Sequence, residues 1–79
     1  MFDIMEYVTL NSLMKDMQKE GFKKVYHKLT TKEINGGRVD KITLIFKDEE
    51  EHNKITIHAE IDIVEGYINI IDVKIRKIY

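Results

Sequence analysis

Two hydrophobic periods divide the chain. Before Phe22 apolar residues recur at helical spacing, and from Phe22 onward they alternate with polar ones. Leu10, Leu13, Met14 and Met17 fall within an arc of roughly 100° at ~100° per residue, while Lys15, Asp16, Lys19 and Glu20 lie away from it. This spacing predicts a helix over about Leu10 to Glu20. Thr9 or Asn11 can cap its start through a side-chain oxygen, and Gly21 suits the position after its end because it reaches positive φ without a Cβ clash. Asp3 to Val8 reads two ways. Asp3 and Glu6 form a capping-box spacing that starts the helix earlier, whereas Phe2 and Ile4 fit a short extra strand.

The alternating part predicts four strands. The first runs from about Phe22 to Thr31 and the second from about Arg38 to Lys47, around Asn35-Gly36, the dipeptide suited to a two-residue turn with φ > 0 at both central positions. Pairing Ile34 with Gly37 places Leu29 opposite Ile42, His27 opposite Leu44 and Val25 opposite Phe46 on one face. Lys28 and Thr43, and Tyr26 and Ile45, then pair on the other. In the third strand Ile55, Ile57, Ala59, Ile61 and Ile63 alternate with Thr56, His58, Glu60 and Asp62. A three-residue loop Val64-Glu65-Gly66 predicts that Ile61 meets Asn69, Ala59 meets Ile71, Ile57 meets Val73 and Ile55 meets Ile75. His58 then faces Asp72 and Thr56 faces Lys74. Asp48 to Asn53 is the polar loop between the second and third strands.

These elements predict a single α+β domain over residues 1–79 with two layers, one N-terminal helix packed on a four-stranded antiparallel meander. The expected sheet core is Val25, Leu29, Ile42, Leu44, Phe46, Ile55, Ile57, Ile61, Ile71, Val73 and Ile75, covered by the helix stripe. With Phe2 to Val8 as a strand, the order is broadly similar to cystatin-like folds. The Gln-x-Val-x-Gly inhibitory pattern has no counterpart here, so that likeness implies no family or function.

Composition then narrows function. Thirteen basic and fourteen acidic residues nearly cancel, which rules out a strongly basic nucleic-acid binder and an acidic disordered tail. No cysteine is present, which removes disulfides, thiolate metal sites and cysteine nucleophiles. No apolar run approaches the ~20 residues of a membrane span, and no basic-then-apolar leader opens the chain, so the expectation is a cytoplasmic protein without membrane partners. Thirteen Ile and eleven Lys against one Ala, two Arg and no Pro match the codon usage of an AT-rich genome. Such a composition and length suit an accessory protein of a phage, virus or mobile element.

Candidate chemistry is sparse. His58, Asp72 and Glu60 share a face but read as a cross-strand ion pair on a solvated surface rather than a metal set. His27 reads as a core-edge histidine and His52 as an exposed one. The acidic run Asp48 to Glu51 lacks the alternating ligands and central glycine of a calcium loop, and Asn35-Gly36-Gly37 is followed by no helix that could hold a phosphate. Ser12 is the only serine and stands near no histidine. The expectation is therefore no catalytic residue, no metal and no cofactor.

The reading that remains is a non-enzymatic protein–protein interaction module, able to associate with itself as a homodimer. Its expected contact surface is Tyr26, Ile45, Ile68 and Ile70 on the outer sheet face, with Val39 and Ile78 nearby. The alternative is nucleic-acid binding through that same face, where Tyr26, Lys28, Lys41, Lys47, Lys74 and Arg76 are set against Glu60, Asp62 and Asp72. A small-ligand carrier between helix and sheet is a third reading.

Overall fold

The computed structural model describes residues 9–50 and 52–77. Phe2 to Val8, Glu51 and Ile78 lie outside the described residues, and with them the question of helix or strand at the N-terminus. One helix, α1 (Leu10–Lys19), precedes four strands: β1 (Phe22–Ile34), β2 (Gly37–Asp48), β3 (Asn53–Ile61) and β4 (Ile68–Lys77). The strands form one antiparallel sheet in sequential order. This is the expected helix on a meander.

Helix α1 starts at Thr9, whose hydroxyl oxygen accepts from the Ser12 amide at 3.2 Å. Its end is closed by the amide of Gly21, at φ +87°, which donates to the Gln18 carbonyl. The helix start is also tied to the sheet. Thr9 pairs with Tyr67 as an isolated bridge, and the Leu10 amide donates to the Gly66 carbonyl at 2.9 Å. Leu13 and Met17 are fully buried against Ile42, Leu44, Phe46, Ile55, Ile57 and Ala59, with Leu10 and Met14 packed at the margin. The apolar stripe thus packs the helix on the core face of the sheet, whose buried residues come from β2, β3 and the start of β4.

Asn35 and Gly36 sit at φ +46° and +80°, and Ile34 pairs with Gly37, as the dipeptide predicts. Nothing lies within 4 Å of a Cβ placed on Gly36. Gly36→Ala should therefore lower stability through backbone strain alone, by about 1–2 kcal/mol, read from the urea midpoint.

The expected pairing holds over most of both hairpins and fails at two bulges, one on each edge strand. On β1 the register shifts between Lys24 and Tyr26, so Lys24 rather than Val25 pairs with Phe46. Val25 is left over and is 44% exposed. On β4 the shift falls between Asp72 and Ile70, opposite His58 and Ala59 of β3. Ile55–Ile75, Ile57–Val73 and His58–Asp72 pair as expected, but Ala59 pairs with Ile70 and Ile61 with Ile68.

The second shift begins in the turn. The Asp62 amide donates to the Tyr67 carbonyl at 2.8 Å, and the Gly66 amide donates back to the Asp62 carbonyl at 2.7 Å. The connection is thus the four residues 63–66. The Asp62 carboxylate fixes it by accepting from the amides of Val64 and Glu65 at 3.0 and 3.2 Å. The extra turn residue inverts the facing of the start of β4, because facing has a strict period of two. Ile68 and Ile70 consequently point into the core, each 7% exposed, and the leftover Ile71 is 49% exposed.

This corrects the expected core. Ile42, Leu44, Phe46, Ile55, Ile57 and Ala59 are buried as read, and Ile61 and Val73 pack at its margin. Val25, Leu29, Ile71 and Ile75 are exposed, and Ile68 and Ile70 take up core space instead. No residue of β1 is buried. Its last four residues pair only with residues 37–40 of β2 and extend past β3 as a two-stranded arm. Asp40 braces that arm, accepting at Oδ1 from the Thr31 hydroxyl at 2.7 Å and from Arg38 Nε at 3.0 Å. The Thr31 and Arg38 hydrogen bonds hold the Asp40 carboxyl below its ordinary value of 3.8.

Candidate functional site

Among the described residues, the helix covers one side of the sheet and no element covers the other. The continuous register decides what that open face carries. Across β1 to β4 its successive rows are Lys23–Lys47–Lys54–Arg76, then Tyr26–Ile45–Thr56–Lys74, then Lys28–Thr43–His58–Asp72, then Thr30–Lys41–Glu60–Asn69. Lys32 and Val39 continue it onto the arm.

Charge is segregated by this arrangement. The face holds Lys23, Lys28, Lys32, Lys41, Lys47, Lys54, Lys74 and Arg76, which is eight of the chain's thirteen basic residues. Against them, among the described residues, stand the two carboxylates Glu60 and Asp72. Asp62, expected on this face, instead lies beyond the end of β3 with its carboxylate turned to the Val64 and Glu65 amides.

One row contains only cations. Lys23 faces Lys47, Lys47 faces Lys54 and Lys54 faces Arg76, one basic side chain from every strand. With strands ~4.8 Å apart the row spans about 14 Å. Like charges directly opposite each other on adjacent strands destabilise a sheet. No ion pair within 4 Å joins any of the four to a described carboxylate; the described pairs are Arg38–Asp40 and His52–Glu50. The row is therefore a local cost to folding that no described ion pair offsets.

The next row supplies apolar surface. Tyr26, 45% exposed, lies opposite the half-buried Ile45, the pair read from the Asn35-Gly36 turn. These two of the four expected contact residues do share the outer face. Ile68 and Ile70 do not, since the four-residue turn directs them inward, so the expected apolar patch is reduced to Tyr26 and Ile45.

The loop between β2 and β3 closes beside the cationic row. Asp48 Oδ1 accepts from the amides of His52 and Asn53 at 2.8 and 3.3 Å, and Oδ2 accepts from Asn53 Nδ2 at 2.7 Å. Burial pushes the Asp48 carboxyl up, but these hydrogen bonds outweigh it and leave it below its ordinary value of 3.8. The ionised form is thus favoured by folding. Its stabilising contribution is complete above that ordinary value and is lost as pH falls through the lower folded one. Wild type should exceed Asp48→Asn in stability at neutral pH, with the gap narrowing below about pH 4 in urea titrations at stepped pH. Glu49 and Glu50 of this loop are exposed, and Glu50 lies 3.3 Å from His52 Nδ1.

The histidines settle into ordinary roles. The ring of His58 contacts the Thr43 hydroxyl at 3.1 Å through Nδ1, on the same strand row as Asp72. His27 is exposed and lines an open channel of ~440 Å³ between the helix and β1, with Leu10, Met14, Leu29 and Ile42. Among the described residues no group of three or more His, Asp or Glu is placed to hold a metal ion, and no helix is long and apolar enough to cross a membrane.

Comparison with protein-family models, with curated protein sequences and with solved structures finds no match to this chain.

Proposed function

We propose that the protein is a small non-enzymatic binding module that docks an anionic macromolecule on the outer face of its sheet. The observation that carries this reading is the row Lys23–Lys47–Lys54–Arg76. Overall charge is −1, so attraction to an anion comes from the segregation of charge and not from its total. A protein selected only for stability would break such a row with a carboxylate. Self-association through an apolar patch loses support, because two of its four residues belong to the core.

Retention on an immobilised anionic polysaccharide, eluted with a salt gradient, tests the reading. Wild type should be retained and Lys54→Glu should elute at clearly lower salt. The same substitution should raise stability by about 0.2–1 kcal/mol, because it replaces two repulsive cross-strand neighbours with attractive ones. Loss of retention together with gained stability is the signature of a binding surface. Equal retention of the two proteins would remove the role given to the row.

A further inference from the structure

The surface just proposed has a feature that a general anion site would not need. The aromatic ring of Tyr26 lies on the row next to the four cations, 45% exposed and with Ile45 beside it. From this juxtaposition we infer that the ligand of the outer face is a single-stranded nucleic acid, with phosphates along Lys23, Lys47, Lys54 and Arg76 and a base stacked on Tyr26. This inference rests on the reading of the outer face as an anion-docking surface.

A nucleotide is an anion attached to a flat apolar ring. The face offers both complements in adjacent rows, and sheet geometry separates residues two apart on one strand by ~6.6–6.8 Å. Base–aromatic stacking tolerates any sequence, since every base has a π face. The single strand is preferred over a duplex because its bases are free to turn onto an aromatic side chain. An acidic polypeptide would satisfy the cations equally well but would leave the aromatic ring without a matching partner. The row runs across the strands, so all four strands contribute one phosphate contact each.

The numbers follow from counterion release. Four phosphate contacts to a single strand give a slope of log affinity on log salt of about −2.8, or roughly a fifty-fold loss between 50 and 200 mM. The measurement is fluorescence anisotropy of a labelled twelve-nucleotide oligothymidylate across that salt range. Competitors are unlabelled polyphosphate, polyglutamate and a duplex. Lys54→Gln should make the slope shallower by about 0.7. Tyr26→Ala should weaken binding about tenfold with the slope unchanged, and Tyr26→Phe should restore it. Unaltered circular dichroism of each variant keeps the comparison to the surface.

The outcomes separate the two levels of the argument. The expected slopes with weak competition by polyphosphate, polyglutamate and duplex support the nucleic-acid assignment. If polyphosphate or polyglutamate competes as well as the oligonucleotide and Tyr26→Ala changes nothing, the nucleic-acid assignment is overturned while anion docking stands. Oligothymidylate binding indifferent to Lys54→Gln, or no binding to any of these polyanions at 50 mM salt, overturns both.

Discussion

Ile70→Lys should unfold the protein, whereas Ile71→Lys should leave it folded within about 1 kcal/mol of wild type. The two residues are neighbours of the same type on the same edge strand. Ile70 is 7% exposed within the core cluster, and Ile71 is 49% exposed at the bulge. Removing a buried isoleucine costs about 2–5 kcal/mol, and placing an ammonium group in that space adds the cost of desolvating a charge. Total stability for a chain of 79 residues is of order 4–12 kcal/mol at ~0.05–0.15 kcal/mol per residue. The first substitution therefore removes a large share of it, and the second touches only an exposed position. Thermal melts followed by far-ultraviolet circular dichroism compare them directly. Collapse of Ile71→Lys with tolerance of Ile70→Lys would mean that the three-residue loop of residues 64–66 sets the register.

Most of the fold was legible because local signals agreed with one another. The stripe of Leu10, Leu13, Met14 and Met17, the Thr9 cap and Gly21 all point to one helix, and they bound it to within a residue. Asn35-Gly36 sets a register that the apolar pattern independently supports, and that register holds from Ile34–Gly37 to Tyr26–Ile45. What periodicity could not reveal was an inserted residue. At Asp62 the backbone had two options, a three-residue loop or a longer turn stabilised by its own carboxylate. Both leave Gly66 at positive φ, so the glycine could not discriminate between them. The Asp62 side chain was the available signal, since a carboxylate that can accept amides two and three residues ahead favours the longer turn. Both bulges fall on edge strands, where extra residues disturb fewest ladder bonds and blunt pairing with other chains.

The candidate site was half legible for the same reason. Parity alone puts Lys28, Lys41, Lys47, Lys74 and Arg76 on the outer face, and it pairs Tyr26 with Ile45. It does not show that the cations align into a row. That needs the register between the two hairpins, which is set by the Asp48 carboxylate folding the β2–β3 loop back onto His52 and Asn53. The bulge at Val25 changes only which lysine joins the row, since the unbroken register would bring Lys24 opposite Lys47 and the bulge brings Lys23 there. No short motif marks Val25 as the extra residue. The row thus depends on the one register that neither hairpin turn sets, that of β2 on β3.

Leu13→Ala should cost about 2–5 kcal/mol, and Leu29→Ala less than about 1 kcal/mol. Both leucines were expected in the same core, one on the helix stripe and one on the inner face of β1. Leu13 is completely buried among the side chains of β2, β3 and the start of β4, while Leu29 is 51% exposed on a strand with no buried residue. Truncating Leu13 leaves a void in contact with Ile57 and Phe46 type neighbours that a close-packed sheet cannot refill. It also detaches the ten-residue helix from its main support, and an isolated helix of that length is unstable in water. Truncating Leu29 removes a side chain that water already reaches. For a domain of this size each kcal/mol moves the melting temperature by about 4–8 °C, so Leu13→Ala should melt at least ~10 °C below Leu29→Ala. Equal melting temperatures would contradict the burial of Leu13 and the exposure of Leu29.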